Sequence, residues 1–231
     1  MDEAQRLRTI GERAAAEISD GQTVGLGTGS TANAMLDALG ERVKAGLKVT
    51  GVATSDSTRA KCTQLGIPLL DLDEVERLDL CIDGADEIDP NLDLVKGKGG
   101  ALLYEKLVAM RTDRLIIIAS SEKLVSRLGT RLPLPVEVVP FGHRHTTRLL
   151  TELGLRPELR RTSDNVPYVT DGGHYILDCD SDGIDDAVAL AAALKGITGV
   201  VDHGLFTGMT ALALTIDEQG AITEHTRPAT L

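Results

Sequence analysis

Four short segments carry residue types that could do chemistry, and each follows an apolar run. The first is Gly25-Leu26-Gly27-Thr28-Gly29-Ser30-Thr31, which leads into a helical pattern beginning at Ala32. Glycines let the backbone turn tightly and expose successive N–H groups, while Ser30 and Thr31 can cap the helix and donate hydroxyls to an anion. This is the chemistry of a phosphate cradle. A dinucleotide fingerprint does not fit, because the third glycine of G-x-G-x-x-G falls at Ser30 and the strand at 49–53 ends without a ribose-binding acid. The lysine of a Walker A loop is also missing. The second segment, Thr54-Ser55-Asp56-Ser57-Thr58, is rich in hydroxyls that suit either sugar oxygens or the capping of a following helix, and the pattern leaves both open.

The third segment, Asp83-Gly84-Ala85-Asp86-Glu87-Ile88-Asp89, crowds carboxylates together, which shifts their proton affinities and suits acid–base work. A solvated acidic loop is the plain alternative. An EF-hand is excluded by Ala85 and Ile88, and magnesium held by two carboxylates stays open at this point. The fourth, Lys96-Gly97-Lys98-Gly99-Gly100, pairs mobile glycines with two lysines that can meet a sugar oxygen gaining negative charge. It leads into a helical pattern carrying Glu105. There Leu103, Leu107 and Met110 share one face at i, i+4, i+7, so Glu105 is expected on the opposite, solvated face. The five histidines form no metal-ligand pattern, and Gly27-Thr28-Gly29-Ser30 is not a nucleophile elbow.

The elements needed to present these segments form an α/β pattern. Apolar runs at 23–26, 49–53, 67–70, 78–82 and 114–119 read as strands. Helical patterns precede the first strand and cover 32–39, 58–65 and 101–110. Such alternation predicts a Rossmann-like parallel sheet flanked by helices, with ligand contacts just beyond the strands' carboxyl ends. From about Leu132 the order strand 136–139, helix 146–153, strands 156–161 and 175–178, helix 184–194, strand 200–203 is βαββαβ, the ferredoxin-like α+β arrangement. The run 211–216 is expected to return to the first sheet. The small unit is then an insertion, with domains at 1–130 plus 205–231 and at 131–204.

Composition narrows the partners. The chain has 231 residues, 42% hydrophobic, with a net charge of -11, which repels nucleic acid; aromatic residues for base stacking are scarce. Charged residues from Asp2 to Arg13 stand where a signal peptide needs an apolar core, and no apolar run has membrane-helix length. Cys62, Cys81 and Cys179 are odd in number and unpaired by any C-x-x-C motif. A soluble cytoplasmic protein is expected.

Taken in order, GLGTGST, TSDST, DGADEID, KGKGGALLYEK and PLPVEVVP closely resemble the type A ribose-5-phosphate isomerases, with the likeness running over nearly the whole chain. The resemblance implies interconversion of ribose 5-phosphate and ribulose 5-phosphate in the pentose phosphate pathway, without metal or cofactor, by a homodimer or homotetramer. It makes Glu105 the base that moves a proton between C1 and C2 through an enediolate, helped by Lys96, Asp83 and Asp86. It further implies substrate contacts by Thr28, Gly29, Ser30 and Thr31, by Asp83, Gly84, Ala85 and Asp86, by Lys96, Gly97, Lys98 and Gly99, and by Lys123. Lys98 and Tyr104 depart from the family, which usually has glycine at the first position and often arginine at the second. Two rival readings are a non-catalytic sugar-phosphate sensor, which would need a DNA-binding head, and a CoA-transferase, which would need a longer chain or a partner subunit.

Overall fold

The computed structural model describes residues 1–227, so positions 228–231 of the expected 205–231 segment lie outside the described residues. The chain begins with α1 (Glu3–Ala15), β1 (Thr23–Leu26), α2 (Ser30–Lys44), β2 (Thr50–Ala53), α3 (Asp56–Leu65) and β3 (Leu80–Asp83). Two short strands, β4 (Glu87–Ile88) and β5 (Leu94–Val95), precede α4 (Leu102–Ala109) and β6 (Leu115–Ser120). Then follow β7 (Leu134–Val138), α5 (His143–Glu152), β8 (Arg156–Leu159), β9 (Tyr175–Asp180), α6 (Ala187–Lys195) and β10 (Val200–His203). Last come β11 (Leu205–Phe206), β12 (Thr210–Ile216) and β13 (Ile222–His225).

These elements divide into two compact units. One comprises Met1–Ala85, Tyr104–Lys123 and the segment from Met209 onward. Its sheet runs β13-β12-β6-β3-β1-β2, parallel except for β13 at one edge. The central strands are near-continuous apolar runs, as strands covered on both faces require; Leu115–Ala119 is buried throughout. Ile116, Ile118, Leu80, Ile82 and Leu214 pack with Ile10 of α1 and Met35, Leu36 and Leu39 of α2. Each such side chain contributes about 1.5–3 kcal/mol by leaving water. Asp2 starts α1 with a capping box, accepting from the Gln5 N–H at 2.8 Å.

The other unit comprises Asp86–Leu103 and Leu124–Gly208. Its four-stranded sheet, β10-β7-β9-β8, is antiparallel throughout and is crossed by α5 and α6 in the βαββαβ order of a ferredoxin-like fold. Leu134, Val136, Val138, Leu150, Leu177 and Leu194 form its core. The fold is therefore α/β, with the additional antiparallel sheets in the second unit.

Three expectations need correction. Residues 67–70 form no strand, only a bridge between Leu69 and Gly51, because Pro68 has no N–H to continue a ladder. The α6 helix starts at Ala187 rather than Ile184, since Asp186 caps it by accepting from the Ala189 N–H. A three-stranded sheet, β11-β5-β4, was not anticipated; its two-residue strands are too short to show a period.

Candidate active site

In the first unit the glycine-rich segment leaves β1 at the carboxyl end of the parallel sheet and opens α2. A Cβ on Gly27 would lie 2.2 Å from Asp83 Oδ1, so only glycine lets the loop pass this close to the end of β3. Asp83 is 2% exposed, and its Oδ1 accepts from the Thr28 N–H at 3.0 Å and the Gly84 N–H at 2.7 Å. This carboxylate therefore shapes two of the expected contact segments, 28–31 and 83–86, at once. Gly29, at φ +108°, is the N-cap of α2; its carbonyl accepts from Asn33, and no side chain caps the first turn. Ser30 and Thr31 line a cavity of about 680 Å³ together with Arg6, Ser120, Ser121 and Lys123, and its wall also carries Glu3, Glu122, Asp217 and Glu218. The attraction for an anion there comes from the uncapped start of α2 and the hydroxyls of Ser30 and Thr31, since the two cations are offset by the acids.

The second hydroxyl-rich segment supports the first. Thr28 Oγ1 lies 2.8 Å from Thr54 Oγ1 and 3.1 Å from Thr58 Oγ1, and donates to Ser55 Oγ at 2.9 Å. Thr54, Ser55 and Thr58 are all buried, so they hold Thr28 rather than face solvent. Ser55 also caps α3, accepting from the Thr58 N–H at 3.0 Å. Of the two readings left open for this segment, capping is present together with a positioning network.

Glu105 is buried, contrary to the solvated face expected from spacing. The helix presents Leu102, Glu105, Val108 and Ala109 inward, while Leu107 is 45% and Met110 69% exposed. Of the expected apolar stripe, Leu107 and Met110 thus point outward and Leu103 is half-buried, while a carboxylate is taken into the protein. Gly25 makes room for the helix: a Cβ there would come 2.6 Å from Val108 Cγ1 and 2.8 Å from Cys81 Sγ. Lys123 ends a short turn after β6, and its ammonium is 4.0 Å from Glu122.

In the second unit Asp86 and the lysine-bearing loop meet through the small sheet. The Asp86 N–H donates to Val95 O at 2.9 Å, and Asp86 Oδ2 accepts from the Lys98 N–H at 2.9 Å. Lys96 is 3% exposed; its N–H donates to Gly204 O at 2.8 Å, and its Nζ lies 5.5 Å from the Phe206 ring centroid. Gly97 and Gly100 adopt φ of +106° and +83°, whereas Lys98 does not require a positive φ. Lys98 therefore fits its position without the conformational freedom of glycine. Glu87, an acid that nothing in the sequence singled out from its acidic neighbours, is fully buried. It accepts from the N–H groups of Gly129, Arg131 and Leu132, pinning the 129–132 turn.

Among the described residues no group of three or more His, Cys, Asp or Glu is placed to hold a metal ion. His174 bonds Glu137 and His225 bonds Thr215, structural roles for two of the five histidines.

The chain's similarity to known proteins agrees with this chemistry. Residues 50–220 match the family model described as ribose 5-phosphate isomerase A (phosphoriboisomerase A). The ribose-5-phosphate isomerase A of Nitrobacter hamburgensis is 50% identical over 219 residues, covering 92% of this chain and 94% of that protein. A solved ribose 5-phosphate isomerase A from Methanocaldococcus jannaschii superposes with a TM-score of 0.93 at 34% identity, covering 98% of this chain and 100% of that one. A D-ribose-5-phosphate isomerase solved with phospho-erythronic acid gives a TM-score of 0.94 at 32% identity, with the same coverage of both chains.

Proposed function

The chain belongs to the ribose 5-phosphate isomerase A family, and from that premise we propose how its own residues carry the family's reaction. It is an isomerase that interconverts ribose 5-phosphate and ribulose 5-phosphate. The non-catalytic sensing alternative finds no support among these relatives, all named as isomerases.

Glu105 is the general base. It takes the proton from C2 of the open-chain aldose, leaving an enediolate, and returns a proton to C1 to give the ketose. Meanwhile the O2 hydroxyl proton moves to O1, with Asp83 or Asp86 as relay, so atoms and charge balance. The Lys96 ammonium stabilises the enediolate oxygen. Thr28, Gly29, Ser30, Thr31 and Lys123 hold the phosphate. Gly84, Ala85, Gly97, Lys98 and Gly99 contact the sugar through backbone groups. The observation that carries this reading is the burial of Glu105, at 5% exposure, on a helix that leaves Leu107 exposed. A carboxylate held on the inward face of the helix is fixed in one position for proton transfer to and from the substrate.

The same reading includes turnover without a metal or organic cofactor and a homodimeric or homotetrameric cytoplasmic enzyme. It also includes the domain division at 1–130 plus 205–231 and 131–204. Incubation with ribose 5-phosphate and a chelator, followed by NMR, tests the reaction: ribulose 5-phosphate accumulates at an undiminished rate. Loss of turnover on chelation, restored by magnesium or manganese, contradicts the metal-free mechanism.

A further inference from the structure

We propose that Arg160 is a positioning residue for the isomerisation, fixing the Gly97–Lys98 peptide so that the loop after Lys96 holds a single conformation. This rests on the reading above that the loop contacts the sugar. Arg160 follows β8, and its side chain is only 15% exposed. Its Nη1 donates to two carbonyls in succession, Gly97 O at 2.9 Å and Lys98 O at 3.0 Å. The rest of the guanidinium grips Asp178 on β9 as a fork, Nε donating to Oδ2 at 2.8 Å and Nη2 to Oδ1. Two strands of the antiparallel sheet thus hold the cation in place. The pair's charges offset each other, leaving geometry as what Arg160 mainly supplies.

The Gly97–Lys98 peptide is held at both ends. Arg160 binds its oxygen, and Asp86 Oδ2 accepts from its N–H at 2.9 Å. A reversal of this peptide plane would break both contacts and turn the Lys98 N–H away from Asp86, one of the acids assigned to the reaction. The loop has little intrinsic preference of its own. Gly97 and Gly100 sit at positive φ, Gly99 lies between, and one turn bond joins Gly100 N–H to Gly97 O at 3.0 Å. Tyr168 completes the support: its N–H donates to Arg160 O at 2.9 Å, its ring lies 5.9 Å from the guanidinium, and a Cβ on Gly100 would come 2.2 Å from its hydroxyl. Lys96 itself stays tied to Gly204 O, so loss of Arg160 frees the residues after Lys96 rather than its backbone N–H.

Arg160 also borders a cavity of about 240 Å³ with Asp86, Lys98, Asp178 and Leu132, so a small cation can reach the position its guanidinium would vacate. The test compares Arg160→Ala, Arg160→Lys and Lys96→Met with the unaltered enzyme, each checked for its thermal midpoint. Arg160→Ala lowers kcat by about 10- to 100-fold, the loss that follows misplacement of a reacting assembly by about an ångström, and leaves KM within about threefold. Millimolar guanidinium chloride recovers much of that kcat, while sodium chloride at the same ionic strength does not. Arg160→Lys covers the case of a misfolded alanine variant. Its single ammonium cannot span two carbonyls and a carboxylate, so the same fall in kcat appears in a folded protein. An unchanged kcat, a fall confined to KM, or no response of Arg160→Ala to guanidinium while Lys96→Met is inactive overturns the role of Arg160. Full activity of Lys96→Met instead overturns the underlying reading of the loop.

Discussion

A methyl group on Gly27 would fall 2.2 Å from Asp83 Oδ1 and 2.5 Å from its Cα, too close for adjustment without moving β3 or the loop. Gly27→Ala is therefore expected to lower both stability and turnover, with an overpacking cost of about 1–3 kcal/mol read from the denaturant midpoint. Gly29 presents a different case. Nothing lies within 4 Å of its absent Cβ, yet its φ is +108°. Gly29→Val strains the backbone at the start of α2 and puts a branched side chain where an anion approaches. Calorimetry on the folded variant should show a sharp loss of affinity for the phosphorylated sugar, and unchanged affinity would remove the cradle from the site. The tight turn at both glycines was legible from their spacing. The hydroxyl cluster behind Thr28 was not, because Thr54 and Thr58 stand 26 and 30 positions away and meet it only through the pairing of β1 with β2.

The α4 helix shows where a pattern misleads. Spacing of apolar residues normally marks the buried face, but here Leu107 and Met110 are exposed while Glu105 and Lys106 are buried. Periodicity reports the way to bury a helix at least cost, and α4 departs from it by carrying two charged side chains inward. Only the family resemblance pointed to Glu105. Gly25→Ala tests the seating of α4, since the added carbon would press on Val108 one turn from Glu105. The expected result is a kcat loss larger than any change in the phosphate affinity. In the other unit, burial pushes the Glu137 carboxyl on β7 above its ordinary range, opposed by hydrogen bonds from His174 and Thr170, with Asp202 adding to the rise. The folded state then binds this proton more tightly than the unfolded state. Stability falls as pH rises from the unfolded carboxyl pKa, about 4.3, through the folded value. Glu137→Gln should flatten that part of the thermal-midpoint profile; an unaltered slope would show that Glu137 does not titrate there.

At the scale of the molecule, the alternation of apolar runs and helical patterns was enough to read the parallel sheet. The βαββαβ order was enough to read the ferredoxin-like unit, because each signal repeats over many residues. The β11-β5-β4 sheet escaped because its strands are two residues long and β11 pairs with the distant β5, whereas β13 is a four-residue edge strand, only half-buried or exposed, joined to β12 by a short turn. The residues proposed to react, Glu105 on α4 and Lys96 after β5, lie on segments whose local sequence is ordinary. The account stands or falls on Glu105. The variant Glu105→Gln keeps size and shape, and mixing it with ribose 5-phosphate in D₂O follows both ketose formation and deuterium uptake at C1 and C2. The predicted result is a folded, substrate-binding protein whose kcat is down by about 10² to 10⁴-fold and whose recovered sugar carries no deuterium. Ketose formation within about threefold of the unaltered enzyme would contradict the assignment of Glu105 as the base and shift the search to Asp83 and Asp86.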